Sequence, residues 1–443
     1  KLLMQSPATA AQCCQTADAS GARLIIDSVL AEGRTILSSA ETRAVMNAFG
    51  IPITPAVEVS SANQAMVAAE SIGFPVSLKI NSPNLTHKSD VGGVKLNIHS
   101  VQEARTEFTK MIDRIQAAEP NATILGATVE PMYKGGHARE LLVGVMRDPV
   151  FGPAITFGSG GTAVEVLKDA AIALPPLNHY IAKKMIAQTK VSKMLKAFRG
   201  MPEVNHDAIV DVLLRISDMV AQLPEIMELD INPLFADEDG VMAVDARISV
   251  NPLPANHKPY QHMAIHPYPS ELVKHLDTHG GLPLLIRPIR PEDAELELDF
   301  VKHLSERSRY LRFMNSVQTL TPQMLSRFTQ IDYDREMAFV ATTTNAQGET
   351  IEIGVTRYTT NPDGQSCEMA IVVRDDYQHQ GVASALLSSL IQHAKSKGLH
   401  LMEGEVLKEN NPMLTLMKQF NFALKTDPED KGVIQIELNL NQV

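Results

Sequence analysis

The stretch that most constrains this chain is 368–387, EMAIVVRDDYQHQGVASALL. Residues 369–373 are a short apolar run that reads as a buried strand. Polar residues at 374–380 lead to Gly381, after which Val382, Leu386, Leu387, Leu390 and Ile391 recur at spacings suited to one face of a helix. A strand that turns through glycine into a helix leaves several backbone N–H groups pointing outward without partners. With the positive end of the helix dipole behind them, they form a seat for a pyrophosphate. Small residues at Gly381 and Ala383 let a ligand come close to the backbone.

The remaining organisation follows from length and pattern. A chain of 443 residues favours two or three domains. No apolar run approaches the length of a membrane span, so no membrane partner is expected. The formal charge of −11 argues against nucleic acid, because phosphate contact needs a basic surface. Three cysteines, Cys13, Cys14 and Cys367, do not make a disulfide framework and read as free thiols in a reducing cytoplasm. The start at Lys1 lacks a signal pattern and reads as a cut within a longer protein, with 1–36 the remnant of a preceding domain and a connector. Strand-like and helix-like segments then alternate at 56–59, 62–72, 76–80, 101–118, 124–131 and 140–146, which signals an α/β domain over 37–250. Residues 251–281, rich in proline and histidine and without periodicity, read as a linker; its histidines are solvated or, less simply, metal ligands. A second α/β domain covers 282–443.

Four places in the first domain carry chemistry. Lys79 sits in the apolar strand Val-Ser-Leu-Lys-Ile, either on a wet face or in a site. His87-Lys88-Ser89-Asp90-Val91-Gly92-Gly93 is a polar loop whose backbone donors could fold over a polyphosphate. Gly158-Ser159-Gly160-Gly161 is a second flexible turn, followed by Glu165. The fourth is a hairpin around 237–240. If that loop has four residues, Ala236 pairs with Val241 and Asn232 falls opposite Asp245, about 5 Å away on one face. Asn232 and Asp245, with Asp230 two residues along, would suit Mg²⁺ between carboxylate and phosphates; a cross-strand hydrogen bond is the equal alternative.

The strings HKSDVGGVKL, VGVMRDPVFGPAITFGSGGTAVEVLKD, ELDINPL and AVDARI resemble the ATP-grasp half of the NDP-forming acyl-CoA synthetases. The resemblance implies that Lys79, Gly92 and Gly93 attend ATP or ADP phosphates, that Glu130 lies near the adenine hinge, and that Asn232 and Asp245 hold Mg²⁺. It further implies that His87 can relay a phosphoryl group. Those enzymes also need a CoA-binding domain and a ligase domain with a phosphorylated histidine, which this sequence lacks, so the expectation is no acyl-CoA synthesis by this chain alone.

In the second domain, the spacing Gln378-x-x-Gly381-x-Ala383 resembles the acetyl-CoA signature of GNAT N-acetyltransferases. The opening LLIRPIRPEDA and the late segment NNPMLTLMKQFNF fit the same family. The resemblance implies acetyl-CoA contacts from Val372, Val373, Gln378, Gln380, Gly381, Val382, Ala383 and Asn410. Asn421 stands where glycine is usual, acceptable in a left-handed cap. Met417 replaces a tyrosine thought to protonate the thiolate, leaving water or the product amine for that task. Acyl transfer to an amine needs a general base, and Glu368, at the start of the strand feeding the turn, fits if partly buried. The basic helix 305–313 reads as a solvated face or as a surface for an acidic partner. Cys367 lacks an activating partner for an acyl relay.

The two modules in this order resemble the Pat-type bacterial protein lysine acetyltransferases. The expected fold is therefore α/β (α+β): an ATP-grasp domain followed by a GNAT domain with a mixed central sheet. The expected partner is a protein lysine, with AMP-forming acetyl-CoA synthetase as target, and a homo-oligomer is open. Two rivals stand beside this reading: a working ligase half, and a nucleotide or acyl-CoA sensor controlling the acetyltransferase.

Overall fold

Alternating strands and helices divide the chain into two units that meet in sequence between Ile265 and His266. The computed structural model describes residues 17–82, 85, 91–133, 135–161, 169–198, 200–278, 281–314, 318–428 and 430–442.

The first unit opens with α1 (Ala19–Ala31) and α2 (Ser39–Ala48), the latter started by a Ser38–Glu41 capping box. Next come β1 (Val57–Val59), α3 (Ala62–Ile72), β2 (Val76–Asn81), β3 (Val94–Ile98), α4 (Val101–Ala118) and β4 (Gly126–Pro131). Their antiparallel sheet has the order β1-β4-β2-β3. Val76, Leu78 and Ile80 share a core with Phe108, Met111 and Ile115 of α4. The period of two in a strand therefore sends Ser77 and Lys79 to the opposite face, and both are buried there. Lys79 is not on a wet face.

The unit continues with β5 (Arg139–Asp148), β6 (Gly152–Ser159), β7 (Ala170–Ala173), α5 (His179–Gln188), α6 (Ser192–Leu195) and α7 (His206–Gln222). It closes with β8 (Ile226–Ala236), β9 (Val241–Ala243) and β10 (Ala246–Val250). This antiparallel sheet has the order β10-β8-β5-β6-β7, with β9 on the end of β8. Helix α7 buries Ile209, Leu213, Ile216 and Val220 in the core of this sheet, and α1 adds Ala22, Ile26 and Val29 to the same core. Helix α1 thus packs into this core, although 1–36 reads in the sequence as a remnant and a connector.

The second unit comprises β11 (Lys274–Asp277), β12 (Pro283–Pro288), α8 (Ala294–Lys302), α9 (Glu306–Phe313), α10 (Pro322–Thr329), β13 (Glu336–Thr344) and β14 (Thr350–Thr360). After these come β15 (Ser366–Val373), α11 (Val382–Ser396), β16 (Leu401–Leu407), α12 (Asn411–Gln419), β17 (Ala423–Thr426) and β18 (Val433–Asn439). The sheet order is β11-β12-β13-β14-β15-β16-β18-β17. It is mixed, because β15 and β16 run parallel while the other pairs run antiparallel. The parallel register covers Ser366↔Leu401, Cys367↔Met402 and Glu368↔Glu403, although both strands run on beyond it. Helix α11 packs Val382, Leu386, Leu387 and Leu390 on one face of the sheet, and Phe300, Val301 and Leu304 cover the other. Part of the stretch read as linker belongs here. Tyr268 is buried, donates its hydroxyl to the Pro288 carbonyl at 3.0 Å, and precedes the edge strand β11. Four mostly polar residues are too few to show a strand period.

Helix α11 also buries His393, whose Nδ1 lies 2.9 Å from the Tyr358 hydroxyl. Burial, helped by Lys397, pushes its imidazole down from 6.5 to about 4. A depressed histidine favours folding while it stays neutral. That contribution is intact above the unfolded value of 6.5 and lost as pH falls toward 4. Scanning calorimetry of the parent chain should show Tm falling across this window, with a shallower fall for His393→Gln; parallel slopes would clear His393 of the effect.

Candidate functional site

Where β15 and β16 part, a cavity of about 900 Å³ opens. Met369, Ala370, Ile371, Val372 and Val373 line it along β15; Gln378, His379, Gly381, Ala383 and Ser384 line it from the turn before α11. Asn410 and the first turns of α12 form another wall, and Arg307, Ser308, Leu311 and Arg312 of α9 a further one.

The turn has two left-handed residues, His379 (φ 61) and Gly381 (φ 86). Glycine meets this demand without strain at 381, the N-cap of α11. No side chain caps the helix, so its first-turn N–H groups and dipole face whatever anion enters. Gln378 and Gln380 brace this turn by donating to the Val373 and Asp376 carbonyls, each at 3.2 Å. Gln378 still lines the cavity, whereas Val382 is buried in the core and can offer only its backbone N–H. Asn410 lines the cavity as the N-cap of α12, accepting from the Met413 N–H at 3.3 Å. Asn421 takes the left-handed conformation its position suggested, φ 62.

Glu368 occupies the last paired position of β15, beside Met369 of the cavity and in register with Glu403. Its side chain is exposed, not partly buried as the sequence argument required. Glu403 went unnoticed in the sequence because it arrives from another strand. Its carboxylate accepts from the Asn361 amide at 2.7 Å. Met417 is fully buried in the core, while Tyr377, Ser308 and Thr415 supply hydroxyl groups to the cavity lining. Burial pushes the Cys367 thiol up to about 12, with Glu403 and Asp363 adding to the effect, so a thiolate relay has no support.

Helix α9 is a cavity wall where the sequence suggested a solvated face or a partner surface. Its docking rests on Asp375, whose carboxylate accepts from the Ser305 N–H and hydroxyl, each at 2.9 Å, and from the Ser308 hydroxyl at 2.7 Å. No local pattern announces such a tertiary pairing.

The first unit assembles a second cluster. Lys79 Nζ lies 2.8 Å from Glu130 Oε2 and donates to the Val244 carbonyl at 2.9 Å. Glu130 also takes Arg43 at 2.6 Å and the Thr128 hydroxyl at 3.2 Å. The register Leu234↔Ala243 and Ile231↔Ala246 sets Asn232 opposite Asp245, and the Asn232 N–H donates to the Asp245 carbonyl at 3.2 Å. Asn232 Oδ1 accepts from the Gly161 N–H at 2.9 Å. The neighbouring Gly160 has no room for a side chain: a Cβ there would stand 2.3 Å from the Leu141 carbonyl oxygen. Gly93 lies beside Lys79, its carbonyl accepting from the Ile80 N–H at 2.7 Å, and Gly92 turns the chain with φ 69. His87 and Glu165 lie outside the described residues.

Among the described residues no group of three or more His, Cys, Asp or Glu side chains could hold a metal. Asn232 and Asp245 nonetheless fit a Mg²⁺ that draws its other ligands from phosphates and water. Burial and then Asp245 push the Asp230 carboxyl up, a repulsion that a cation would relieve.

Comparison with known proteins accords with both halves. A family model for the ATP-grasp domain matches residues 28–250, and one for the acetyltransferase (GNAT) domain matches 283–423. The β subunit of an ADP-forming acetate–CoA ligase I from Pyrococcus furiosus is 39% identical over 227 residues, covering 51% of this chain and 97% of that subunit. An acetyltransferase of Pseudomonas aeruginosa is 35% identical over 150 residues, covering 34% of this chain and 80% of its own length. The dinucleotide-forming acetyl-CoA synthetase 1 of Ca. Korarchaeum cryptofilum, solved with coenzyme A and Ca-AMPCP, is 39% identical, with a TM-score of 0.50 over 52% of this chain and all of that one. The chain spans about a third of the length of single-chain ADP-forming relatives. The chain belongs to the ATP-grasp family, close to the β subunits of ADP-forming acetate–CoA ligases, and joins to that domain a GNAT acetyltransferase domain that makes it an acyltransferase.

Proposed function

We propose that the second unit transfers the acetyl group of acetyl-CoA to a protein lysine, in the manner of the Pat-type bacterial acetyltransferases, with cytoplasmic AMP-forming acetyl-CoA synthetase as first-choice acceptor. The observation that carries this reading is Glu368 standing at the last register pair of β15 with β16, next in sequence to Met369 of a cavity with a helix N-terminus on its wall. The first-turn N–H groups of α11 bind the pyrophosphate, and the open edge of β15 offers backbone donors and acceptors to the amide-bearing arm. A backbone N–H of this edge polarises the thioester carbonyl. Glu368 takes the proton of the attacking amine; being exposed, it can do so through one water. The C–N bond forms as the C–S bond breaks, and the thiolate is protonated from solvent or by the product amine.

In the first unit, we infer an adenine-nucleotide site that serves as a sensor. Lys79, held between Glu130 and the Val244 carbonyl, stands next to the Asn232–Asp245 pair, so one phosphate chain with Mg²⁺ can engage all three.

Thiol release from acetyl-CoA with acetyl-CoA synthetase as acceptor should fall about 100-fold or more in Glu368→Gln, the usual worth of a general base. Equal release from both chains would remove Glu368 from that role, and none from either would remove the acceptor. Calorimetric titration with Mg-ADP and Mg-ATP should give binding that weakens at least about tenfold in Lys79→Met, the loss of one charged hydrogen bond. No heat from the parent chain would dispose of the sensor.

A further inference from the structure

Beside the open edge of β15 the cavity carries a cation that has no hydrogen-bond or ion-pair partner among the described residues. Arg312 lines the cavity from α9, yet its guanidinium makes no hydrogen bond or ion pair with any described residue. Its nearest aromatic contact is the ring of Phe313, 5.2 Å away. Burial, with Arg357 adding to it, pushes the guanidinium down to about 10, so it is poorly hydrated but still charged at neutral pH.

The carboxylates that act on it are Glu297 and Glu368. Arg357 has Glu297 as its partner at 3.8 Å. Burial and then the Glu297 carboxylate push the Glu352 carboxyl well above the ordinary range. Of the two carboxylates that act on Arg312, Glu297 is therefore already engaged by the part-buried Arg357, and Glu368 is exposed. The position along the cavity matters too. Helix α9 packs on β15, and Arg357 pairs in register with Ala370, two residues beyond Glu368. Arg312 therefore belongs to the reacting end, away from the anion seat at Gly381.

We propose that Arg312 receives a carboxylate at the far end of the acyl group, so that this cavity takes dicarboxylic acyl-CoA donors such as succinyl-CoA as well as acetyl-CoA. The inference rests on reading the cavity as an acyl-CoA site. A desolvated, planar guanidinium prefers a carboxylate held in two hydrogen bonds. A protein acceptor meets the cavity at its rim, whereas an acyl chain enters with its thioester and reaches a part-buried side chain. The chemistry of transfer is unchanged. The amine nitrogen bonds to the thioester carbonyl carbon, the C–S electron pair leaves on the CoA thiolate, and the released proton ends on that thiolate. The distal carboxylate stays a spectator and appears in the product as a succinyl amide.

The test is calorimetric binding of acetyl-, butyryl- and succinyl-CoA to the whole chain with no acceptor present. Butyryl-CoA has the same chain length without the charge. The parent chain should bind succinyl-CoA at least about tenfold more tightly than butyryl-CoA, the worth of one charged hydrogen bond. The ratio should fall to near one in Arg312→Gln and be partly kept in Arg312→Lys. A ratio of one or less in the parent chain overturns the proposal without needing any variant. So does a preference that survives in Arg312→Gln. Failure of all three thioesters to bind would instead overturn the reading of the cavity itself, and the proposal with it.

Discussion

The second unit depends on a pairing that stops. Strands β15 and β16 share three register pairs and then diverge, while β15 keeps its other neighbour, β14, as far as Val373. A backbone edge inside a sheet is costly to leave unpaired, because each N–H and C=O that loses its partner must find another. The crossover helix α11 makes the parting possible by joining the two parallel strands over one face. Gly404 sits close to the split, where a Cβ would stand 3.0 Å from the Met369 carbonyl oxygen. The groups released along β15 line the cavity, so the same break in hydrogen bonding creates both the space and its donors.

The wall opposite is held by charge. Arg287 grips Asp293 with both nitrogens, at 2.6 and 2.7 Å, and the Arg290 N–H donates to the same carboxylate at 2.7 Å. This buried, bidentate arrangement fixes the turn from β12 into α8, the helix that leads into α9. Removing either partner would strand a buried charge, at about 3–5 kcal/mol. The Asp375 carboxylate then ties the start of α9 to the turn that precedes Gly381. Two carboxylates thus carry the position of Arg312 relative to the anion seat.

These linkages explain what the sequence made legible. The strand–turn–helix at 368–387 and the hairpin register of Asn232 and Asp245 are local, so apolar period and loop length define them. The edge strand β11 was harder for want of length, and the packing of α1 because its core is assembled from distant strands. The orientation of α9, the exposure of Glu368 and the approach of Glu403 to it all come from pairings between elements far apart in sequence. A lone strand lysine at 79 could not reveal which face it took, because both faces of β2 are buried.

The cluster around that lysine follows a different logic from the cavity of the second unit. Lys79 already has an anion, Glu130, and Glu130 already has a second cation, Arg43. A phosphate that draws Lys79 away would leave the Glu130 carboxylate buried, a loss of several kcal/mol if no other cation held it. Arg43, 2.6 Å from the other carboxylate oxygen, prevents that loss. The exchange then swaps one anion for another on Lys79 while Glu130 remains paired. Arg43, which comes from α2 and lies outside the strings that carry the resemblance, is the residue that keeps Glu130 paired in such an exchange.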